Sequence, residues 1–287
     1  LNLSLIQHTL CRDVKDFLQK AIFNIVYLIK GIMKELDEFK IFARRLAEIS
    51  GEVIRSFFRT GISPEFKKDL SPVTIADKNA EEIMRAAIMK EYPKHGILGE
   101  EFGAYNEGAE YQWVLDPIDG TKSYICGTVT FGTMIALLKN GQPILGVVNQ
   151  PVLRELLIGD GKTTEINGKT VKVRECNSLA EAVLLTTDHL HIEKYQDIKK
   201  FEELIHKVKL YRNWGDCFGY YLVATGFADI MIDPIMNPWD LLALVPIIRG
   251  AGGVITDYHG GDPVTGNSII AASPGIHKQV ISILNKK

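Results

Sequence analysis

Trp113-Val-Leu-Asp-Pro-Ile-Asp-Gly-Thr121 starts as an apolar strand and breaks at once into a turn that carries two carboxylates. Trp113 to Leu115 has the character of a buried strand. Asp116, Pro117, Asp119 and Gly120 each favour turns, so the strand is predicted to end abruptly. A turn of this kind can aim the carboxylates of Asp116 and Asp119, and the carbonyl oxygen of Ile118, toward one side. That is an all-oxygen donor set, suited to hard Mg²⁺ or Mn²⁺ rather than to zinc.

Other acids fall at similar places. Upstream, Phe42, Leu46, Ile49, Val53 and Phe57 recur at helical spacing over 39–58, and Gly61 to Pro64 ends the run. Residues 67–74 read as a loop or hairpin. Asp77 opens a helix reaching Tyr92, with Ile83, Met84 and Ala87 expected on its buried side. Ile97-Leu-Gly99 is a short strand that runs into Glu100-Glu101. Downstream, strands are predicted at 131–138 and 144–150, joined by Asn140-Gly141, and at 156–159 and 171–173. From Leu179 strands and helices alternate: strands at 183–187, 209–211, 229–232, 252–257 and 268–272, and helices at 198–208, 219–225, 238–249 and 277–284. Asp240 opens the third of these helices after Pro238-Trp239. The pattern is α/β, with halves 36–175 and 176–287 meeting without a linker and residues 1–35 as an extension. Acids from several element ends, gathered in one place, would repel one another unless cations were present. Each also has a plain role: Glu100-Glu101 as a solvated loop, Asp240 as a helix cap, Asp77 as an acid at a helix dipole.

Bulk properties narrow the classes. The 287 residues have a net charge of −2, are 46% hydrophobic and 24% charged, and show no basic run, so no nucleic-acid footprint is present. Cys11, Cys126, Cys176 and Cys217 form no C-x-x-C pair, which predicts reduced thiols and a cytoplasmic chain. The apolar stretch 21–32 is interrupted by Lys30, is too short to span a bilayer and is followed by no small-residue cleavage site. It is expected to be a helical extension or an upstream start, with the catalytic unit beginning near Met33.

Gly-Glu-Glu at 99–101, Trp113 to Thr121, Trp239-Asp240 followed by Gly-Ala-Gly-Gly at 250–253, and Ser-Pro-Val-Thr-x-Ala-Asp at 71–77 together resemble the inositol monophosphatase family. The resemblance runs from about residue 40 to the C-terminus. It implies an α/β sandwich layered αβαβα, a Mg²⁺ cluster and a homodimer. Carried over to this sequence, one ion would be held by Glu100, Asp116 and the Ile118 carbonyl, and a second by Asp116, Asp119 and Asp240. A third, weaker ion would lie near Glu100. Asp77 and Thr121 match the pair that activates the attacking water, while Gly120 and Thr121 would offer backbone N–H groups to the phosphate. Direct in-line attack by water, without a phosphoenzyme, follows.

The same resemblance implies a small phosphorylated alcohol as substrate. Asn213-Trp-Gly-Asp-Cys217, with Phe218-Gly-Tyr220 and Gly146 to Pro151 followed by Glu155, is similar to the histidinol-phosphatase branch. On that resemblance Gly215, Asp216, Cys217 and Asp233, with Asp119, would face substrate, and Asp216 and Asp233 could pair with an ammonium group. Asp216 reads equally as an acceptor for backbone N–H groups at a helix start. Inositol 1-phosphate, fructose 1,6-bisphosphate and adenosine 3′,5′-bisphosphate are the alternative esters. A regulatory binding protein on the same fold is the alternative outside enzymes. His189 and His191 are expected to be surface loop residues rather than zinc ligands.

Overall fold

A computed structural model of the chain describes residues 34–67 and 72–286. Two units are distinguished, residues 1–43 and 44–287. Residues 34–43 of the first are helical, and the apolar stretch 21–32 lies outside the described residues. The second unit opens with helical residues 44–57 (α1). A short antiparallel hairpin, β1 (Glu65–Phe66) with β2 (Pro72–Val73), then leads into α2 (Ile75–Glu91). α2 starts there because Thr74 and Asp77 form a reciprocal capping box, each side chain accepting from the other's end of the first turn.

The large sheet follows: β3 (Gly96–Gly99), β4 (Gly103–Tyr105), β5 (Tyr111–Asp119), a single helical turn α3 (Thr121–Ile125), then β6 (Gly132–Lys139), β7 (Gln142–Gln150), β8 (Glu155–Gly159), β9 (Thr164–Ile166) and β10 (Lys169–Thr170). Its order is β10-β9-β8-β7-β6-β5-β3-β4. Asn140 and Gly141 both take positive φ, 50° and 77°, as the two-residue turn between β6 and β7 requires. All pairs are antiparallel except β3 with β5. This exception matters for the site, because Gly99 stands opposite Leu115 in the parallel ladder. Glu100 and Asp116, the next residues, therefore stand side by side.

The second sheet is built from β11 (Val183–Thr186), α4 (His189–Tyr195), α5 (Ile198–Ile205), β12 (Leu210–Arg212), α6 (Asp216–Ala224), β13 (Ile230–Asp233), α7 (Pro238–Leu241), α8 (Leu244–Gly250), β14 (Val254–Thr256), β15 (Ile269–Ala272) and α9 (Pro274–Leu284). Its order is β12-β11-β13-β15-β14. Strand alternation divides its apolar residues between two cores. Met231, Ile269 and Ala271 join a core shared with α6, α8 and the large sheet's Val114, Met134 and Val148. Ile230, Ile232, Ile270 and Ala272 face the opposite way, onto α4, α5 and α9. A third cluster sets Ile54 of α1 and Ala76 and Ala80 of α2 against Ile118 and Phe131. The layering is αβαβα, as expected. Residues 244–248 of α8 are all apolar and buried because it belongs to the middle layer, and only its last turn, with Arg249, reaches solvent.

Several boundaries differ from the sequence reading. The helix predicted at 238–249 is two helices, because Pro246 has no N–H to give the Leu242 carbonyl. Residues 171–173 are not a strand; only isolated bonds hold them, from Val171 N–H to the Thr164 carbonyl and from Val173 N–H to Ala251. Ile83 is exposed, since the buried stripe of α2 runs through Asp77, Ala80, Glu81, Met84 and Ile88. His189 and His191 lie in a helix, not a loop. No helix among the described residues is long and apolar enough to cross a membrane.

Candidate active site

β5 supplies two acids at a break in its own pairing. Its ladder with β6 shifts register between Asp116 and Asp119, and this bulge turns both side chains to one end of the sheet. Glu100 is fastened next to them by its N–H, which donates to the Leu115 carbonyl at 3.1 Å. Asp240 arrives from α7, where the N–H and side-chain amide of Asn237 donate to its Oδ2 at 3.0 and 3.2 Å. One oxygen each from Asp116, Asp119 and Asp240 lie within 4.8 Å of one another.

Electrostatics at this point are unfavourable for bare carboxylates. Burial, then the neighbouring charges of Glu100, Asp119 and Asp240, hold Asp116 well above the usual carboxylate range. Burial, with Asp216 and Asp240, does the same to Asp119, against a hydrogen bond from the Cys217 N–H. Burial raises Asp240 to about 6. Asp116 Oδ1 is buried and has no hydrogen-bond partner among the described residues. An orphaned carboxylate oxygen inside a set of carboxylates and the Ile118 carbonyl fits a hard divalent cation. Ile118, Asp116, Asp119 and Asp240 line one cavity of about 400 Å³.

Lys67 was not singled out in the sequence. Its Nζ lies 2.8 Å from Oε1 of both Glu100 and Glu101. Burial works against its charge, but the two carboxylates outweigh it and hold the ammonium well above its ordinary range. Nothing in local spacing could have revealed this pair, because Lys67 stands 33 residues before Glu100.

Asp77 faces the site from α2. Its Oδ2 accepts from the Thr74 N–H at 2.8 Å and hydroxyl at 2.6 Å, which leaves Oδ1 for the Thr121 hydroxyl at 3.3 Å. The same hydroxyl lies 3.0 Å from the Ile118 carbonyl, so its single proton serves one acceptor at a time. Burial lifts Asp77 to about 6, with the Thr74 bonds opposing. Gly120 has φ of 87°, and a Cβ there would stand 2.8 Å from Asp216 Oδ2; glycine is required on both counts. α3 spans only five residues, so its dipole is much weaker than that of a full helix.

A second cavity of about 360 Å³ adjoins the first and shares Glu100, Gly120, Thr121 and Asp240 with it. Gly215 and Asp216 line it, together with Asp188, His191 and Asn213. Asp216 has φ of 51° and donates its N–H to the Thr187 hydroxyl at 2.8 Å, while burial raises its carboxyl to about 6. Asp188 and His191 were not candidates in the sequence, because their place beside Asn213, Gly215 and Asp216 in the cavity lining joins segments far apart in the chain.

Two expected substrate contacts sit elsewhere. Asp233 is buried behind the cavity wall, accepting from the Tyr220 hydroxyl at 2.9 Å and the Thr187 N–H at 3.3 Å. Cys217 is also buried, its side chain in the middle core, and it acts through its N–H on Asp119 Oδ2. The free thiols of Cys126, Cys176 and Cys217 are the described ones.

Comparison with known proteins agrees with this geometry. The profile of the inositol monophosphatase family matches residues 35–287. The bifunctional phosphatase IMPL2, chloroplastic, of Arabidopsis thaliana is 45% identical over 264 residues, covering 87% of this chain and 76% of its own. The histidinol-phosphatase of Chlorobaculum parvum is 36% identical, covering 84% and 95%. The solved structure of an inositol monophosphatase from Zymomonas mobilis superposes with a TM-score of 0.78 at 36% identity, over 86% of this chain and 98% of that one. The chain belongs to the inositol monophosphatase family and is an enzyme of the class that hydrolyses phosphate monoesters.

Proposed function

We propose that this enzyme uses Mg²⁺, replaceable by Mn²⁺, to hydrolyse the phosphate ester of a small polar alcohol, with histidinol phosphate as substrate and inositol 1-phosphate as the alternative. The observation that carries the reading is the convergence of carboxylate oxygens from Asp116, Asp119 and Asp240, with Asp116 Oδ1 buried and without a partner among the described residues. Glu100, Asp116, the Ile118 carbonyl, Asp119 and Asp240 would hold the ions. When bound, they supply charge neutralisation at the phosphate and acidify a coordinated water.

The chain's own groups do the rest. Thr121 Oγ1 orients the attacking water, and Asp77 Oδ1 takes the proton that Thr121 relays. An acceptor raised to about 6 suits transfer near neutral pH. The N–H groups of Gly120 and Thr121 open a helical turn, where no intrahelical acceptor exists for them, and face the phosphate. Cys217 N–H fixes the rotamer of Asp119. Asp216 and Asp188 line the part of the adjoining cavity that the alcohol would fill, and their carboxylates suit an ammonium group, which histidinol phosphate carries and inositol phosphate lacks. The family relative named as a histidinol-phosphatase supports the same choice. A homodimer and a reducing compartment, the cytoplasm, complete the proposal.

Phosphate release from histidinol phosphate, inositol 1-phosphate, fructose 1,6-bisphosphate and adenosine 3′,5′-bisphosphate, measured side by side in Mg²⁺ and in chelator, tests it. Histidinol phosphate should give the highest kcat/KM, and the chelator should abolish turnover. Inversion at a chiral phosphorus is expected, since no phosphoenzyme forms. Wild-type activity in the Asp116→Asn chain would overturn the proposal.

A further inference from the structure

Glu81 is fully buried, and nothing in the mechanism above uses it. It lies one helical turn beyond Asp77 on the same face of α2. Its carboxylate reaches out of the helix to the segment just after β3. Oε2 accepts from the Glu101 N–H at 2.8 Å and Oε1 from the Phe102 N–H at 3.2 Å. Arg85, one turn further along α2, donates to Glu81 Oε1 at 3.2 Å and to the Gly103 carbonyl at 2.9 Å. Buried carboxylates are costly unless paired in this way.

Around Glu100 the result is a fully committed backbone. The N–H of Glu100 itself is taken by Leu115, and the next two N–H groups are taken by Glu81. Gly99 makes room for this, because a Cβ there would overlap Glu81 Oε1. The glycine thus has a steric reason that is independent of φ. One helix therefore touches both sides of the reaction centre: Asp77 holds Thr121, and Glu81 holds the loop bearing Glu100.

We infer that Glu81, braced by Arg85, is a positioning residue for the metal centre, setting where Glu100 stands relative to Asp116. The inference rests on the reading of Glu100 as a metal ligand. Partners of ligands that fix their orientation typically change metal affinity by about ten- to hundredfold, and Glu81 acts at that distance, through the backbone instead of the side chain.

The test measures Mn²⁺ binding to the full chain without substrate, by electron paramagnetic resonance, beside thermal unfolding and amide exchange at Glu101 and Phe102. Glu81→Gln keeps size but removes charge and one acceptor. It should weaken Mn²⁺ by about tenfold, speed exchange at both amides, and raise the Mg²⁺ concentration needed for half-maximal rate while leaving KM for the ester unchanged. Gly99→Ala retains the carboxylate but displaces it, so it should weaken Mn²⁺ similarly; should Glu81→Gln fail to fold, this variant carries the test. In a Glu81→Ala background, Gly99→Ala should add no further loss, since the obstructed group is gone. A lowered melting temperature with Mn²⁺ affinity unchanged in Glu81→Gln and Gly99→Ala would overturn the inference and leave the metal reading intact. A wild-type chain that binds no Mn²⁺ would overturn both.

Discussion

Replacing Asp116 with asparagine should have opposite effects with and without divalent metal. At 4.8 Å separation and an effective dielectric near 20, two ionised carboxylates repel by about 3.5 kcal/mol, and the three pairs among Asp116, Asp119 and Asp240 sum to about 10 kcal/mol. That rivals the whole stability of an ordinary domain, roughly 5–15 kcal/mol. This repulsion acts in the same direction as the upward displacement of Asp116 and Asp119. In chelator, Asp116→Asn replaces one of three mutually repelling acids with an uncharged group of the same shape and should unfold at the wild-type temperature or above it. Magnesium reverses the order. Ligand at 100 times its Kd stabilises the wild type by about 2.7 kcal/mol, or about 4–5 °C for a chain of this size. The variant should gain almost nothing, and its phosphatase activity should fall by at least about 100-fold, the upper range for residues that merely support a ligand. Thermal unfolding with a Mg²⁺ titration, run beside phosphate release, measures both. A variant less stable than wild type in chelator, yet equally stabilised by Mg²⁺, would refute the reasoning.

Other substitutions separate the remaining roles. Thr121→Val removes the hydroxyl between Asp77 and the Ile118 carbonyl, so kcat should drop by about 100-fold or more with KM little changed. Asp216→Asn should lower kcat/KM for histidinol phosphate by about ten- to hundredfold, the value of a charged hydrogen bond, and spare inositol 1-phosphate; equal losses on both esters would remove Asp216 from ammonium recognition. Asp233 is an acid raised by burial to about 7, so the folded state binds its proton longer than the unfolded chain does. Its contribution to stability is complete below about pH 4 and is lost as pH rises through about 7, at up to about 1.4 kcal/mol per pH unit. Denaturant titrations of Asp233→Asn over pH 4–8 should show this slope removed.

Local chemistry explains why some features were readable in advance and others were not. The start of α2 and the Asn140-Gly141 hairpin depend on side chains acting on backbone a few residues away, and a linear pattern records such effects; the abrupt strand end expected at Asp116 is instead a bulge, because β5 stays paired with β6 as far as Asp119. Asp77, Asp119, Thr121 and Asp240 were candidates because each lies at or near an element end, where local signals are strongest, and Asp116 because it begins the Asp-Pro stretch that forms the bulge of β5. Local signals leave the role of Asp233 open, since a strand-ending acid looks alike whether it meets solvent, substrate or a buried tyrosine.

What the linear chain determined by itself was therefore the kind of chemistry: oxygen donors at the ends of strands and helices, and no thiolate or imidazole set to replace them. Only the tertiary structure decided which of these groups meet. Lys67 with Glu100, Glu81 with the N–H of Glu101, Cys217 with Asp119 and His191 with the second cavity are contacts between elements brought together by sheet pairing and layer packing. Their distances in space follow from burying apolar faces shared by several layers, a collective property that no short window of residues contains.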